Sequence, residues 1–156
     1  MEHPEGIPPR SAEVDLANDV AKRALDLACW AHRELGAVCS VENPDCSYLW
    51  LAAEFWRGRA SGYSDARLSY CRFGASWRKD TRIRFWGGAY PQELCLRCVT
   101  TSAGTTCGLP PGEHHDVLEF GGCDTWEAAA YPEQLCECSA AWFLQWTLVP
   151  DSERCL

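Results

Sequence analysis

The chain has 156 residues, of which 47% are hydrophobic and 23% charged, with five Phe, five Tyr and eight Trp. That is about one domain of sequence with ample bulky core material, and it excludes wholesale disorder; no apolar run approaches the ~18–20 residues of a membrane span. The net charge of −8 argues against a protein that coats nucleic acid non-specifically, because neutralising phosphates takes Lys and Arg.

Residues 1–11 read as a flexible tail with no secretory signal, so an intracellular chain is expected. Ser11 can cap a helix whose first turn carries Glu13 and Asp15; Val14, Leu16, Val20, Ala24, Leu27, Ala28, Ala31 and Leu35 recur at helical spacing, and Gly36 supplies a stop. Ala37–Glu42 predicts a short strand ending at the Asn43-Pro44 turn signal, and Cys46 to about Trp56 predicts a second helix. Two strand-like runs follow, Ala66–Phe73 and Thr81–Trp86, joined by Gly-Ala-Ser-Trp-Arg-Lys-Asp as a hairpin. Val99–Gly112 reads as loop, Gly121-Gly122 as a turn, and a last helix is predicted from Pro132 to about Trp146. Ala89–Cys95 and Ala130–Cys136 share an Ala-Tyr-Pro start, and in both the proline is expected to open a helical turn. The order indicates an α/β domain over residues 12–147 with a hairpin at one edge of its sheet and a C-terminal tail at 148–156.

Eleven cysteines suit a disulfide scaffold by number, yet the count is odd and the helix and strand patterns build a core without staples. Cys29, Cys39, Cys71 and Cys136 sit in apolar runs where free Cys acts as a small buried hydrophobe. Cys95-x-x-Cys98, Cys107 and His114-His115 form the one set with metal-ligand character. Cys95, Cys98, Cys107 and His114 would make a three-Cys, one-His zinc site; an inert reduced pair or a disulfide are the alternatives.

Charge is concentrated between Arg57 and Arg97, where nine basic residues face three acidic ones; the remainder is net −14. Within it, Arg78, Lys79, Arg82 and Arg84 cluster around the hairpin, with Phe73, Trp77, Phe85 and Trp86 interleaved. Arg82 and Arg84 share a face of any continuous strand. That face suits phosphate or an anionic base edge, and a solvated edge strand is the plainer alternative. Glu42, at the carboxyl end of its strand, stands where open α/β sheets bind ligands and where a carboxyl can donate a proton to a ring nitrogen; a simple turn is the alternative.

Taken in order, Ser-Val-Glu-Asn-Pro (residues 40–44), the run Leu68–Trp86 and the segment Thr125–Cys136 resemble the later catalytic motifs of the C5-cytosine DNA methyltransferase family, of its divergent Glu-Asn-Pro type. The resemblance implies a partial Rossmann-like methyltransferase sheet with flanking helices. It implies that Glu42, with Asn43 and Pro44, holds and protonates the target base, and that Arg78, Lys79, Thr81, Arg82 and Arg84 contact DNA. The family's cofactor is S-adenosylmethionine. No glycine-rich strand–turn–helix precedes Glu42, and no Pro-Cys nucleophile loop occurs. The expectation is therefore a base-binding half-domain, inactive alone and completed by an upstream half. A non-catalytic nucleic-acid- or protein-binding remnant and a small zinc-stabilised interaction module are the competing expectations.

Overall fold

The computed structural model of the chain describes residues 11–55, 62–88, 91–116 and 130–148. The remaining tail positions, Gly121-Gly122 and Thr125–Ala129 of the distal motif lie outside the described residues.

Helix α1 runs from Ala12 to Leu35. The Ser11 hydroxyl accepts from the Val14 amide, Glu13 and Asp15 occupy the positive end of the dipole, His32 and Arg33 the negative end, and Gly36 closes the helix in the left-handed region at φ 62°. Strand β1 (Cys39–Pro44) leads through a turn into α2 (Tyr48–Phe55), and β2 (Tyr63–Ser69) follows. The predicted continuation of β2 to Phe73 instead tightens into a 3-10 turn, Tyr70–Phe73, closed by Gly74 at φ 91°, whose amide bonds the Tyr70 carbonyl. A side chain at that φ would strain the turn. Strand β3 (Asp80–Trp86) returns across the sheet; a 3-10 turn at Gln92–Leu94, the small ribbon β4 (Thr100–Thr101) and β5 (Gly104–Thr105), and helix α3 (Glu133–Thr147) complete the described elements. Pro91 and Pro132 sit at the head of their helical turns, as expected.

The architecture is α/β in the broad sense, with a small antiparallel sheet of order β1-β3-β2. The β2–β3 hairpin takes one edge of the sheet, as expected, with β2 outermost and the arginine strand β3 central, paired to β1 with Glu42 opposite Ile83 and to β2 with Ala66 opposite Ile83. Alternation along β3 then divides two cores. Ile83 and Phe85, with Ala66, Leu68, Tyr70, Phe73 and Leu94, pack against Leu135 and Trp142 of α3, and the Phe85 and Trp142 rings meet edge to face at 4.5 Å. Trp86 packs against Leu25, Ala28 and Cys29 of α1, with Val41 and Leu49 beside it.

Of the set its apolar spacing predicts, helix α1 fully buries only Ala28, together with Leu25 and Cys29. Leu16, Val20, Leu27 and Leu35 are exposed, while Ala28 and Cys29 supply the small surface that the Trp86 ring needs. Cys136, expected inside, is exposed; Cys29 and Cys71 are buried. No helix among the described residues is long and apolar enough to cross a membrane.

Just beyond β3, Gly88 lies beneath the Trp146 indole, and its carbonyl accepts from Ser64 Oγ at 3.1 Å. A Cβ there would overlap the ring at φ 147°. Gly88→Ala is expected to destabilise the fold by about 2 kcal/mol through overpacking, read as a lowered midpoint in denaturant; a midpoint unchanged from the wild type would show that Trp146 moves away freely.

Candidate metal centre

Four potential ligands from three separate stretches of chain converge: Cys71, Cys98, Cys107 and His115, with all ligand atoms within 4.8 Å of one another. Local chain geometry explains each placement. The 3-10 turn at the end of β2 carries Cys71 to the sheet's end. Ser69 fixes the next stretch twice, its amide bonding the Leu96 carbonyl at 2.9 Å and its hydroxyl accepting from the Cys98 amide at 2.9 Å. The β4–β5 ribbon reverses the chain, and the Thr106 amide bonds the Val99 carbonyl at 3.0 Å, which brings Cys107 back beside Cys98. His115 arrives on a stretch tied to the loop leading into β3, through a parallel bridge of Trp77 with Asp116 and an Asp116 amide bond to the Ser76 carbonyl.

The separations suit a tetrahedral ion. With bonds of ~2.3 Å to sulfur and ~2.0–2.1 Å to nitrogen, tetrahedral zinc requires about 3.8 Å between sulfurs and about 3.6 Å between sulfur and nitrogen. Cys98 and Cys107 Sγ are 3.5 Å apart, and His115 Nε2 is 3.6 Å from Cys98 Sγ and 3.2 Å from Cys107 Sγ. The cysteines are free thiols, and the sulfur separation is well beyond the ~2.05 Å of a disulfide.

The electrostatics are uneven across the site. Burial, reinforced by hydrogen bonding and by the charge of Cys98, pushes the Cys71 thiol up to about 12. Cys107 moves the other way: desolvation opposes its ionisation, but hydrogen bonds from Thr105 Oγ1 at 2.9 Å, the Leu109 amide, Cys98 and His115 bring it down to about 6. The Thr105 hydroxyl orients that sulfur as a supporting group beyond a ligand does.

The structure groups Cys98 and Cys107 of the expected set with Cys71 and His115 rather than with Cys95 and His114. Cys95 ends the 3-10 turn that buries Leu94 and packs against the α3 core, so Cys71 takes the place expected for it. His114 is exposed, and its neighbour His115 faces the thiols. Cys98 and Cys107 are where the spacing placed them.

The residues expected to face nucleic acid are mostly internal. Thr81 is fully buried on the α3 side of the sheet, and Arg82 and Arg84 are 8% and 1% exposed on the other side. Arg84 binds Asp65 through two contacts of 2.7 and 2.8 Å and lies between the rings of Trp50 and Tyr63. They do share a face, as expected, and Trp50 of α2 lies over both guanidiniums, 5.1 Å from Arg82 and 5.4 Å from Arg84. Arg78 and Lys79 remain partly accessible. Arg78 forks onto Asp80, and Lys79 pairs with Glu42 at 3.6 Å over the Tyr70 ring.

Glu42 also accepts from the Tyr131 hydroxyl at 3.2 Å and from Tyr70 at 3.4 Å, so one carboxylate joins β1 to the head of α3. Burial, with the Glu42 charge next to it, pushes the Tyr70 phenol well above its usual range. Asn43 lies opposite Arg82, Pro44 opposite Thr81, and the Pro44 carbonyl accepts from the Trp50 indole at 2.8 Å. Tyr131 borders a cavity of about 460 Å³ whose other walls include Phe73, Trp77 and Gln134.

Partial burial would raise the Asp80 carboxyl, but the Arg78 fork and the Ser69 hydroxyl, with the charge of Arg97 nearby, hold it below the ordinary carboxylate range. A depressed folded value stabilises the fold above the unfolded carboxyl's ~3.9, and that contribution disappears as pH falls through the folded value. Asp80→Asn is therefore expected to lower stability at pH 7 and to weaken the loss on acidification below about pH 4; parallel midpoint-against-pH curves for the two proteins would contradict it.

Comparison with protein-family models, with curated proteins and with solved structures finds no match to this chain.

Proposed function

We propose that the chain is a zinc-stabilised interaction module, in which a Cys3His centre fastens the segment 95–116 onto the end of the main sheet. The observation that carries this reading is the convergence of Cys71, Cys98, Cys107 and His115 within 4.8 Å, at separations suited to tetrahedral coordination. Three thiolates and one imidazole favour zinc over harder cations. Four protein ligands complete its tetrahedron, which is the arrangement of structural rather than hydrolytic sites. The ion would supply folding energy to a stretch whose regular structure is the two two-residue strands β4 and β5. Such thiols need a reducing compartment, which supports an intracellular location.

Elemental analysis of the purified chain tests it: one zinc per chain is expected, retained by Cys95→Ser and His114→Ala and lost from Cys71→Ser and Cys98→Ser. Zinc that departs with Cys95→Ser but survives Cys71→Ser would refute this ligand set.

A second reading rests on the pairing of the Glu42-Asn43-Pro44 strand with the arginine-rich strand β3. In it the three strands are one end of a larger methyltransferase-like sheet, Glu42 serves a DNA base, and an upstream half-domain brings S-adenosylmethionine. No glycine-rich strand–turn–helix precedes Glu42 in the sequence, so the isolated chain is expected not to bind that cofactor. Stoichiometric micromolar binding in a calorimetric titration would overturn that expectation.

A further inference from the structure

On the α2 side of the sheet, Arg67 of β2 lies directly opposite Arg82 of β3. Like charges facing each other in an antiparallel pair repel. A third guanidinium, that of Arg97, joins them from the stretch pinned to Ser69. All three converge on the single carboxylate of Asp45, in the turn after β1: Arg67 Nε at 3.4 Å and Arg82 Nε at 3.1 Å from Oδ1, Arg97 Nη2 at 3.2 Å from Oδ2. The neighbouring carboxylate, Asp65, is engaged through both oxygens by Arg84 and reaches Arg82 only at 3.8 Å. Asp80 is occupied by Arg78 and Ser69. Among the described residues, the four guanidiniums of Arg67, Arg82, Arg84 and Arg97 therefore share the two carboxylates of Asp45 and Asp65.

Arg82 is the enclosed member of the cluster. Arg82 is held beneath the Trp50 ring, 5.1 Å from its centroid. Arg67 and Arg97 are 49% and 45% exposed, and each commits one nitrogen to Asp45. A guanidinium has five N–H groups in a planar fork. Each of the two side chains thus keeps further donors and stays about half exposed beside that carboxylate, in a chain whose overall charge is −8. Guanidinium forks match the oxygen spacing of phosphate, and a dianion would balance the two excess charges.

We propose that Arg67 and Arg97, backed by Arg82, form a phosphate-binding site. The ligand is a phosphate group gripped between the two exposed forks, with Asp45 fixing their separation. Ser69 bonds the residues on either side of Arg97. Because Arg97 lies in the segment 95–116 that the metal centre fastens, the site rests on that reading and is tested in the zinc-loaded chain.

The test is a titration of the isotope-labelled, zinc-loaded full chain, following arginine Nε–H signals by NMR at constant ionic strength. Inorganic phosphate, against chloride, is expected to shift Arg67 and Arg97 saturably, with half-saturation on the order of 1 mM. Arg67→Gln and Arg97→Gln should each weaken binding about tenfold, as expected for loss of one charge-assisted fork, and Arg33→Gln on α1 should leave it unchanged. A short oligonucleotide without terminal phosphate separates the sources: tighter binding than phosphate assigns the site to a nucleic-acid backbone, whereas weaker binding assigns it to a phosphate monoester. The wild-type titration decides the proposal even where a variant fails to fold. Shifts that do not saturate with either probe, or that spread evenly over all arginines, overturn it.

Discussion

Cys98→Ser is expected to cost the protein its zinc and, with it, the order of residues 95–116. Cys98 is buried, and its amide and sulfur both take part in the assembly of the centre. Structural zinc contributes apparent binding free energies of about 10–16 kcal/mol in small finger peptides, comparable to the whole stability of an ordinary domain. Even a fraction of that exceeds what the two-residue ribbon can supply, so a loss of several kcal/mol is expected. Chelation of the wild type should reproduce the loss, and added zinc should reverse it. Amide exchange would rise first at Cys98–His115, where few backbone bonds survive without the clamp. Exchange in that segment unchanged by a chelator would show that the ribbon stands without metal.

The second large effect is expected at Arg84. Its guanidinium is 1% exposed, lies 3.7 Å from the Tyr63 ring centroid and is joined to Asp65 through two short contacts. Removing one partner of a buried pair leaves the other charge desolvated and unmatched, which costs about 3–5 kcal/mol, whereas removing both is far milder. Arg84→Met should therefore destabilise strongly, and Arg84→Met combined with Asp65→Asn should be no worse than the single change. Strict additivity of the two in chemical denaturation would mean that the residues act separately.

The contrast between Arg84 and Cys71 shows what the sequence could disclose. Local signals were legible: the Ser11 cap, the Gly36 stop, the prolines heading helical turns and the common face of Arg82 and Arg84 all follow from chemistry within a few residues. What the sequence lacked was the lateral order of strands. A basic strand at an edge meets solvent, whereas the same strand in the centre must bury its arginines, and Asp45 and Asp65 compensate them from other segments. Cys71 was hidden for the same reason. It sits in an apolar run 27 residues before Cys98, and only the 3-10 turn at the end of β2 points it toward the other ligands. Cys95 had the better local spacing, but the burial of Leu94 commits that turn to the α3 core. The choice between His114 and His115 rested on the bridge of Trp77 to Asp116, a contact that no spacing rule contains.

X-ray absorption at the zinc edge of the purified chain tests the central claim most directly, because it reads ligand type and distance together. A single zinc with three sulfurs at about 2.3 Å and one nitrogen at about 2.0–2.1 Å is expected. A first shell of oxygen and nitrogen alone, or a chain purified under reducing conditions that holds no zinc, would contradict it.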